Sequence, residues 1–152
     1  MRGRVKIGES VAFKNKELEV VRMSYKLKVP EIKVFGKGIY VNAQGKTECV
    51  EFIRQATDAP KTTLWKKGKK VSDASFGEIA RGTAIATFDS NGKYPTDSLG
   101  KHAAIYLEHN TQRILVLDQW NDQGEVKQRP IWFNKPKGTR RSNDANTFYV
   151  IE

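Results

Sequence analysis

The chain is organised around residues 47–55, which read TECVEFIRQ and contain the only cysteine of its 152 residues. From this cysteine onward, apolar side chains fall at i, i+3, i+4 and i+7, on Cys49, Phe52, Ile53 and Ala56. This spacing predicts an amphipathic helix whose apolar stripe packs against a core. Thr47 is a plausible N-cap, so we expect Cys49 in the first turn of the helix.

The position of Cys49 gives its thiol two interpretations. In the first turn of a helix, unpaired backbone N–H groups and the positive end of the helix dipole favour thiolate over thiol. A thiolate is a strong nucleophile, and the position therefore suits a catalytic cysteine. Alternatively, Cys49 is a small buried hydrophobic residue, as free cysteines commonly are.

Length and composition indicate a single domain spanning residues 1–152. With 38% hydrophobic residues, the chain is long enough for a core of its own and too short for two comfortable domains. One cysteine rules out an internal disulfide framework and a cysteine-rich zinc site. Because there are only two histidines and no carboxylates at metal-ligand spacing, we expect that neither a metal nor another cofactor is required.

The chain is strongly basic, with 27 Lys and Arg against 17 Asp and Glu and a net charge of +10. Such a composition attracts nucleic acid, an anionic membrane surface or an anionic polymer, and charge alone does not choose among them. The N-terminus lacks an apolar signal segment, and no run approaches the ~18 apolar residues of a membrane span. We therefore expect a soluble protein, made in the cytoplasm without a Sec-type signal.

Alternating apolar residues and turn residues after the helix predict a series of strands. They are expected at residues 83–88, 101–107, 113–120, 126–133 and 146–151, the last as an edge strand. Residues 89–100 and the lysines around Gly68 are expected in exposed loops. Together these features predict an α+β domain, with the Cys49 helix packed against a mainly antiparallel sheet of about five or six strands.

The strands 101–107 and 113–120 are expected to form a hairpin joined by residues 108–112. If Leu107 faces Arg113, antiparallel register places His102 opposite Asp118, and directly opposed residues share a face of the sheet. His109 would lie in the turn with nothing apolar around it, and is expected on the surface. His102 is therefore a candidate functional residue, and His109 is interpreted as a surface loop residue.

Three of these residues could together hydrolyse an amide bond. Thiol hydrolysis needs a nucleophile, a base, a group that orients the base, and a donor for the oxyanion. Cys49 would attack, His102 would deprotonate the thiol and later protonate the leaving amine, and Asp118 would hold the imidazole in the useful tautomer. The structural alternative is that His102 caps a strand and Asp118 closes a turn.

Four further polar residues are candidates for supporting roles. Gln119 and Asn121 are fallback orienters of the histidine if the hairpin register slips by a residue. The expected oxyanion donor is the backbone N–H of Cys49, and Tyr40 and Gln44 are the side-chain candidates.

The order of these parts resembles the papain-like amidases of the NlpC and CHAP type. The resemblance covers about residues 39–121 and rests on Tyr40, residues 49–52, Trp65 with residues 68–71, residues 82–88 and residues 100–107. The chain departs from that pattern at Glu48 and Val50, where Asp or Gly usually flanks the cysteine, and at Lys101, which separates Gly100 from the histidine. The resemblance implies a papain-like fold. It also allows Asp118 as the third residue of the catalytic set, beside the cysteine and the histidine.

That resemblance also implies a substrate and a setting. Such enzymes cut amide bonds in peptidoglycan stem peptides, and a small basic version without a signal resembles the type VI secretion amidase effectors. This implies an antibacterial toxin that acts in the periplasm of a target bacterium, with a secretion-apparatus component and an immunity protein as partners. The bond cut stays open between the D-glutamyl–diaminopimelate bond of a stem and the cross-link between stems.

Two other functions stay open. A basic β-rich module could bind nucleic acid through Lys and Arg with exposed aromatic residues such as Trp65 and Trp132. A catalytically inactive relative could instead serve as a binding domain. Close approach of Cys49 and His102 would support the amidase, whereas separation beyond ~8 Å without a mobile loop would favour the nucleic-acid module.

Overall fold

The computed structural model describes residues 9–14 and 17–152. Within that part of the chain there is one α-helix, α1 (Cys49–Ala56), and there are eight strands. The strands are β1 (Glu9–Lys14), β2 (Glu17–Arg22), β3 (Lys67–Lys70), β4 (Ala84–Thr87), β5 (Ala103–His109), β6 (Arg113–Asp118), β7 (Lys127–Trp132) and β8 (Phe148–Ile151). β1 and β2 pair with each other as a separate antiparallel sheet.

The other six strands form one antiparallel sheet in the order β3-β8-β4-β5-β6-β7. This confirms the predicted α+β class with a mainly antiparallel sheet. Two assignments were wrong: β8 lies between β3 and β4 rather than at an edge, and the lysines around Gly68 form the edge strand β3 rather than a loop. Both errors concern pairing partners, which the alternation within one strand does not reveal.

Helix α1 covers one face of this sheet with its apolar stripe. Phe52 and Ile53 are fully buried and belong to one core cluster with Ala103 and Ile105 of β5. Burying side chains of this size contributes about 1.5–3 kcal/mol each. Cys49, at the N-terminal end of the stripe, is only partly buried. The helix is therefore anchored by its middle, while its first residue stays accessible.

The start of α1 differs from the prediction by one residue. Its N-cap is Glu48, in an extended conformation and without a side-chain capping bond, rather than Thr47. Thr47 instead donates its hydroxyl to the backbone carbonyl of Trp120 at 3.2 Å. It therefore ties the approach to the helix to the segment that follows β6.

The β5–β6 hairpin has a different register from the predicted one. Ile105 pairs with Leu117 rather than with Leu115, and a bulge lies further along the hairpin. The predicted pairing was therefore wrong by two residues. Because side chains alternate between faces with a period of two, a shift of two leaves each residue on its predicted face. His102 and Asp118 thus share a face as diagonal neighbours.

The prediction that His109 lies on the surface was wrong. It is the last residue of β5 and is only 8% exposed. Its Nδ1 lies 2.6 Å from the Tyr106 hydroxyl, and its Nε2 lies 3.0 Å from the carbonyl oxygen of Ala74. β5 continues two residues beyond its predicted end, and this places the imidazole beside Tyr106 and Ala74, which belong to a second core cluster with Ile85 and Ile114.

Two aromatic residues were also misassigned. Tyr94 is buried, although the polar loop that carries it was expected to be exposed throughout. Trp65 is only 2% exposed, so it is not the surface aromatic residue that the nucleic-acid module requires, whereas Trp132 is 48% exposed.

No helix among residues 9–14 and 17–152 combines the length and the apolar character needed to cross a membrane.

Candidate active site

Three polar side chains meet where secondary-structure elements begin or end. Cys49 is the first residue of α1, His102 directly precedes β5, and Asp118 is the last residue of β6. His102 is fixed further because its backbone N–H donates to Thr87 Oγ1 at 3.1 Å and its carbonyl accepts from Thr87 N–H at 3.0 Å. Side chains placed on such regular elements hold a more constant geometry than side chains on free loops.

His102 and Asp118 form a short buried pair. Nε2 of His102 lies 2.6 Å from Oδ2 of Asp118, and the two residues are 5% and 0% exposed. Burial by itself would lower the pKa of His102, but the hydrogen bonds and charges of Asp118 and Cys49 outweigh it and raise the pKa to about 9. The imidazole is therefore held as imidazolium at neutral pH.

The Cys49 thiol contacts the same imidazole. Burial would raise the pKa of Cys49, but hydrogen bonding to His102, the charge of His102 and a backbone hydrogen bond from Ala103 lower it below its ordinary value. Because Nε2 of His102 is engaged by the carboxylate, Nδ1 is the ring nitrogen left for the sulfur. The arrangement favours a thiolate–imidazolium pair, in which the nucleophile is already deprotonated.

Arg129 is a member of this network that sequence reasoning missed. Its Nε donates to Oδ2 of Asp118 at 2.7 Å, and its guanidinium stacks on the Trp120 ring at 4.8 Å. Asp118 pairs with Lys127 across β6 and β7, so Arg129, two residues further on, lies on the same face. The register of this second hairpin could have revealed it. Arg129 compensates a buried carboxylate that would otherwise be costly.

Tyr94 is the second residue that sequence reasoning missed. Its hydroxyl lies 3.7 Å from Cys49 Sγ, and its ring packs edge-on against Trp65 with centroids 5.0 Å apart. Burial, followed by the charge of Cys49, raises the pKa of Tyr94. The hydroxyl therefore stays protonated and can donate to the thiolate. The only available signal was a single tyrosine in an otherwise polar loop.

Gln119 has a supporting role different from the predicted ones. It is fully buried, and its Nε2 donates to the carbonyl oxygens of Tyr40 at 2.7 Å and Glu48 at 2.8 Å. It therefore holds the segment leading into α1, and among the described residues no hydrogen bond joins it to His102. The Tyr40 ring packs against Phe52, with centroids 5.2 Å apart.

Of the other predicted supporting residues, only Asn121 lines the active-site cleft. Asn121 is exposed and lines the cleft above Cys49. Gln44 lies in an exposed turn, where its backbone N–H donates to Asn42 Oδ1 at 2.9 Å, and neither Gln44 nor Tyr40 lines the cleft. The backbone N–H of Cys49 remains the expected oxyanion donor.

The site opens into a cleft of about 720 Å³, which is large enough for a peptide segment. Besides Cys49, His102 and Tyr94, the lining includes Glu48, Val50, Thr62, Thr63, Asp89, Lys93, Pro95, Thr96, Lys101, Trp120 and Asn121. Among the described residues, no group of three His, Cys, Asp or Glu side chains could hold a metal ion.

Comparison with known proteins gives one consistent result. The family model for domesticated amidase effector 2 matches residues 19–151. A type VI secretion amidase effector 2 protein of Salmonella typhi is 36% identical over 117 residues, which are 69% of this chain and 84% of that protein. A domesticated amidase effector 2 of Ixodes scapularis is 35% identical over 121 residues, or 76% of this chain and 78% of the relative.

A solved structure is similar as well. The structure of type 6 secretion amidase effector 2 (Tae2) matches with a TM-score of 0.63 at 33% identity, over 74% of this chain and 84% of that one. The residues matched by the family model include Cys49, His102 and Asp118.

Proposed function

This chain belongs to the amidase effector 2 family, and on that premise we propose that it is a cysteine amidase that hydrolyses peptidoglycan and acts as an antibacterial type VI secretion effector. The observation that carries the catalytic assignment is the contact of one imidazole with both Cys49 and Asp118. A nucleic-acid-binding module would explain the charge of the chain but would leave this buried arrangement without a role.

In the first half of the reaction, the Cys49 thiolate attacks the carbonyl carbon of the scissile amide. The backbone N–H of Cys49 stabilises the negative charge that develops on the carbonyl oxygen. The His102 imidazolium then gives a proton to the leaving nitrogen, the C–N bond breaks, and an amine departs. The products of this step are a thioester on Cys49 and a neutral imidazole.

In the second half, water attacks the thioester while His102 accepts one of its protons. The C–S bond breaks, the thiolate–imidazolium pair is restored, and the new carboxylic acid leaves and gives its proton to solvent. The carboxylate of Asp118 stabilises the imidazolium, and Arg129 holds Asp118 in place.

We further propose that residues 1–152 form a single papain-like domain of the NlpC and CHAP type. The support is the order of the parts: a cysteine that opens a helix, a histidine that precedes a strand, and an acidic residue at the end of the next strand. The type VI name of the relatives supports export, action in the periplasm of a target bacterium, and pairing with a secretion-apparatus component and an immunity protein.

Digestion of purified sacculi tests this proposal. The protein is incubated with sacculi, and the released peptides are separated by chromatography and identified by mass spectrometry. We expect products with one new amine and one new carboxylate for each bond cut, and none with Cys49→Ala. The masses also decide between a bond within a stem and the cross-link. Undigested sacculi with the folded wild-type protein, or unchanged products with Cys49→Ala, would contradict the proposal.

A further inference from the structure

Two cations of the active-site cleft have no ionic partner among residues 23–152. Lys93 and Lys101 line the cleft and are exposed, and no carboxylate of residues 23–152 lies within ion-pair distance of either ammonium group. Several lysines elsewhere do have such partners, as Lys28 does in Asp58 at 3.2 Å and Lys69 does in Glu78 at 3.5 Å.

Two acidic groups near these lysines, Asp97 and Asp89, are already engaged, while Glu48, which also lines the cleft, lies beyond ion-pair distance of both lysines. Asp97 is held by two hydrogen bonds from Arg141, at 2.7 and 2.9 Å, and these lower the pKa of Asp97 more than the charge of Lys101 does. Asp89 uses one carboxylate oxygen to accept the backbone N–H groups of Asn91 and Lys93, at 2.8 and 3.0 Å. The two ammonium groups are therefore available to a ligand.

The position of these lysines relates them to the chemistry. Lys93 directly precedes Tyr94, whose hydroxyl contacts Cys49, and Lys101 directly precedes His102. Each cation is thus one residue away from a side chain that touches the nucleophile. Both lysines line the cleft onto which Cys49 opens, so a substrate whose amide carbonyl reaches Cys49 has its neighbouring groups in the cleft that these cations line.

We propose that Lys93 and Lys101 bind a free carboxylate next to the scissile amide, so that the enzyme prefers stem peptides in which this carboxylate is not amidated. This inference rests on the proposed function. Peptidoglycan stems contain such groups, because both glutamate and diaminopimelate keep a carboxylate beyond the one used in the chain. Lysine recognises a carboxylate as a point charge with three donors, which suits a flexible substrate.

The interaction is expected to act on binding rather than on the chemical step. A carboxylate held before and during the reaction contributes equally to the ground state and the transition state, so its loss raises KM and leaves kcat nearly unchanged. For a charged hydrogen bond at the mouth of a cleft, we expect a loss of about 5- to 20-fold in kcat/KM for each lysine.

The test uses a peptide that the wild-type protein cleaves and a synthetic copy whose carboxylate next to the scissile bond is a carboxamide. The wild-type protein should cleave the free acid with the higher kcat/KM. Lys93→Gln and Lys101→Gln should lose about 5- to 20-fold on the acid, through KM, and less than about 2-fold on the carboxamide. Added salt should raise the wild-type KM for the acid more than it raises that of the double variant.

Lys137→Gln is the matched control, because Lys137 is exposed and does not line the cleft. It should behave like the wild-type protein on both peptides. Equal losses on acid and carboxamide, or no loss on either, would overturn the carboxylate site while leaving the amidase intact. Failure of the wild-type protein to digest sacculi would instead contradict the proposed function itself.

Discussion

The two histidines of the chain lie at opposite ends of β5, since His102 directly precedes the strand and His109 is its last residue, and both imidazoles are buried. At the end toward α1, His102 lies between a carboxylate and a thiol. At the hairpin end, His109 lies between the hydroxyl of Tyr106 and the carbonyl of Ala74, and its ring packs edge-on against Phe76 at 5.2 Å.

Burial and hydrogen bonding therefore do not distinguish a catalytic histidine from a structural one. The difference lies in the partners: neutral groups occupy both nitrogens of His109, and one of its donors or acceptors would be left unpaired if either partner moved away. His102 has a carboxyl partner that stabilises its charged form, and its other nitrogen faces a nucleophile at an open cleft.

The largest expected effect separates the two histidines by activity. His102→Ala should reduce the rate of peptidoglycan hydrolysis by at least about 10³-fold, because the thiol loses both its base and the acid for the leaving amine. His109→Ala should retain nearly the full rate below its unfolding temperature. Initial rates on sacculi measure both variants. The Cys49→Ala/His102→Ala double variant should be no worse than Cys49→Ala, and additive losses would show that the two residues do not act as a unit.

The next effect concerns the carboxylate of Asp118, which contacts the imidazole of His102, whereas the hydrogen-bond partners of His109 are neutral groups. Asp118→Asn should lower the turnover rate by at least ~10-fold, because the amide does not stabilise an imidazolium. In the wild-type protein, activity should fall as the pH rises through about 9, where His102 loses its proton. Since Asp118 raises that pKa, the fall should begin at lower pH in the variant, and full pH–rate profiles measure the shift.

Asn121→Ala is the comparison for this variant, because Asn121 is exposed and was the competing orienter. The Asn121→Ala variant should lose activity over the same alkaline pH range as the wild-type protein. An unchanged pH range in Asp118→Asn, or a shifted one in Asn121→Ala, would assign the orienting role to another residue.

The smallest expected effect is on stability, and here His109 is expected to matter. His109→Ala should lower the free energy of unfolding by about 2–4 kcal/mol, since it opens a cavity and leaves Tyr106 and Ala74 without hydrogen-bond partners. Urea denaturation followed by circular dichroism measures this change. Tyr106→Phe, which removes only the hydroxyl, should lose less. Wild-type stability in His109→Ala would show that its two hydrogen bonds contribute nothing to the fold.

Several parts of the molecule could be predicted because they depend on local patterns. The stripe of Cys49, Phe52 and Ile53 has the helical period, and the alternation around Ile105 and Leu117 has that of a strand. The pairing of His102 with Asp118 survived a register error of two residues, because faces repeat with that same period.

The sequence by itself thus determined the α+β class, the helix that contains Cys49 and the principal strands, and it predicted the set of Cys49, His102 and Asp118 that the structure brings together. Only the tertiary structure decided that β8 is internal, that His109 is structural, that Gln119 braces the approach to α1, and that Arg129 and Tyr94 belong to the site. The physical reason is the range of the interactions. Helical and strand periods are written in neighbouring residues, whereas these contacts join residues that become neighbours only when distant strands and loops pack together.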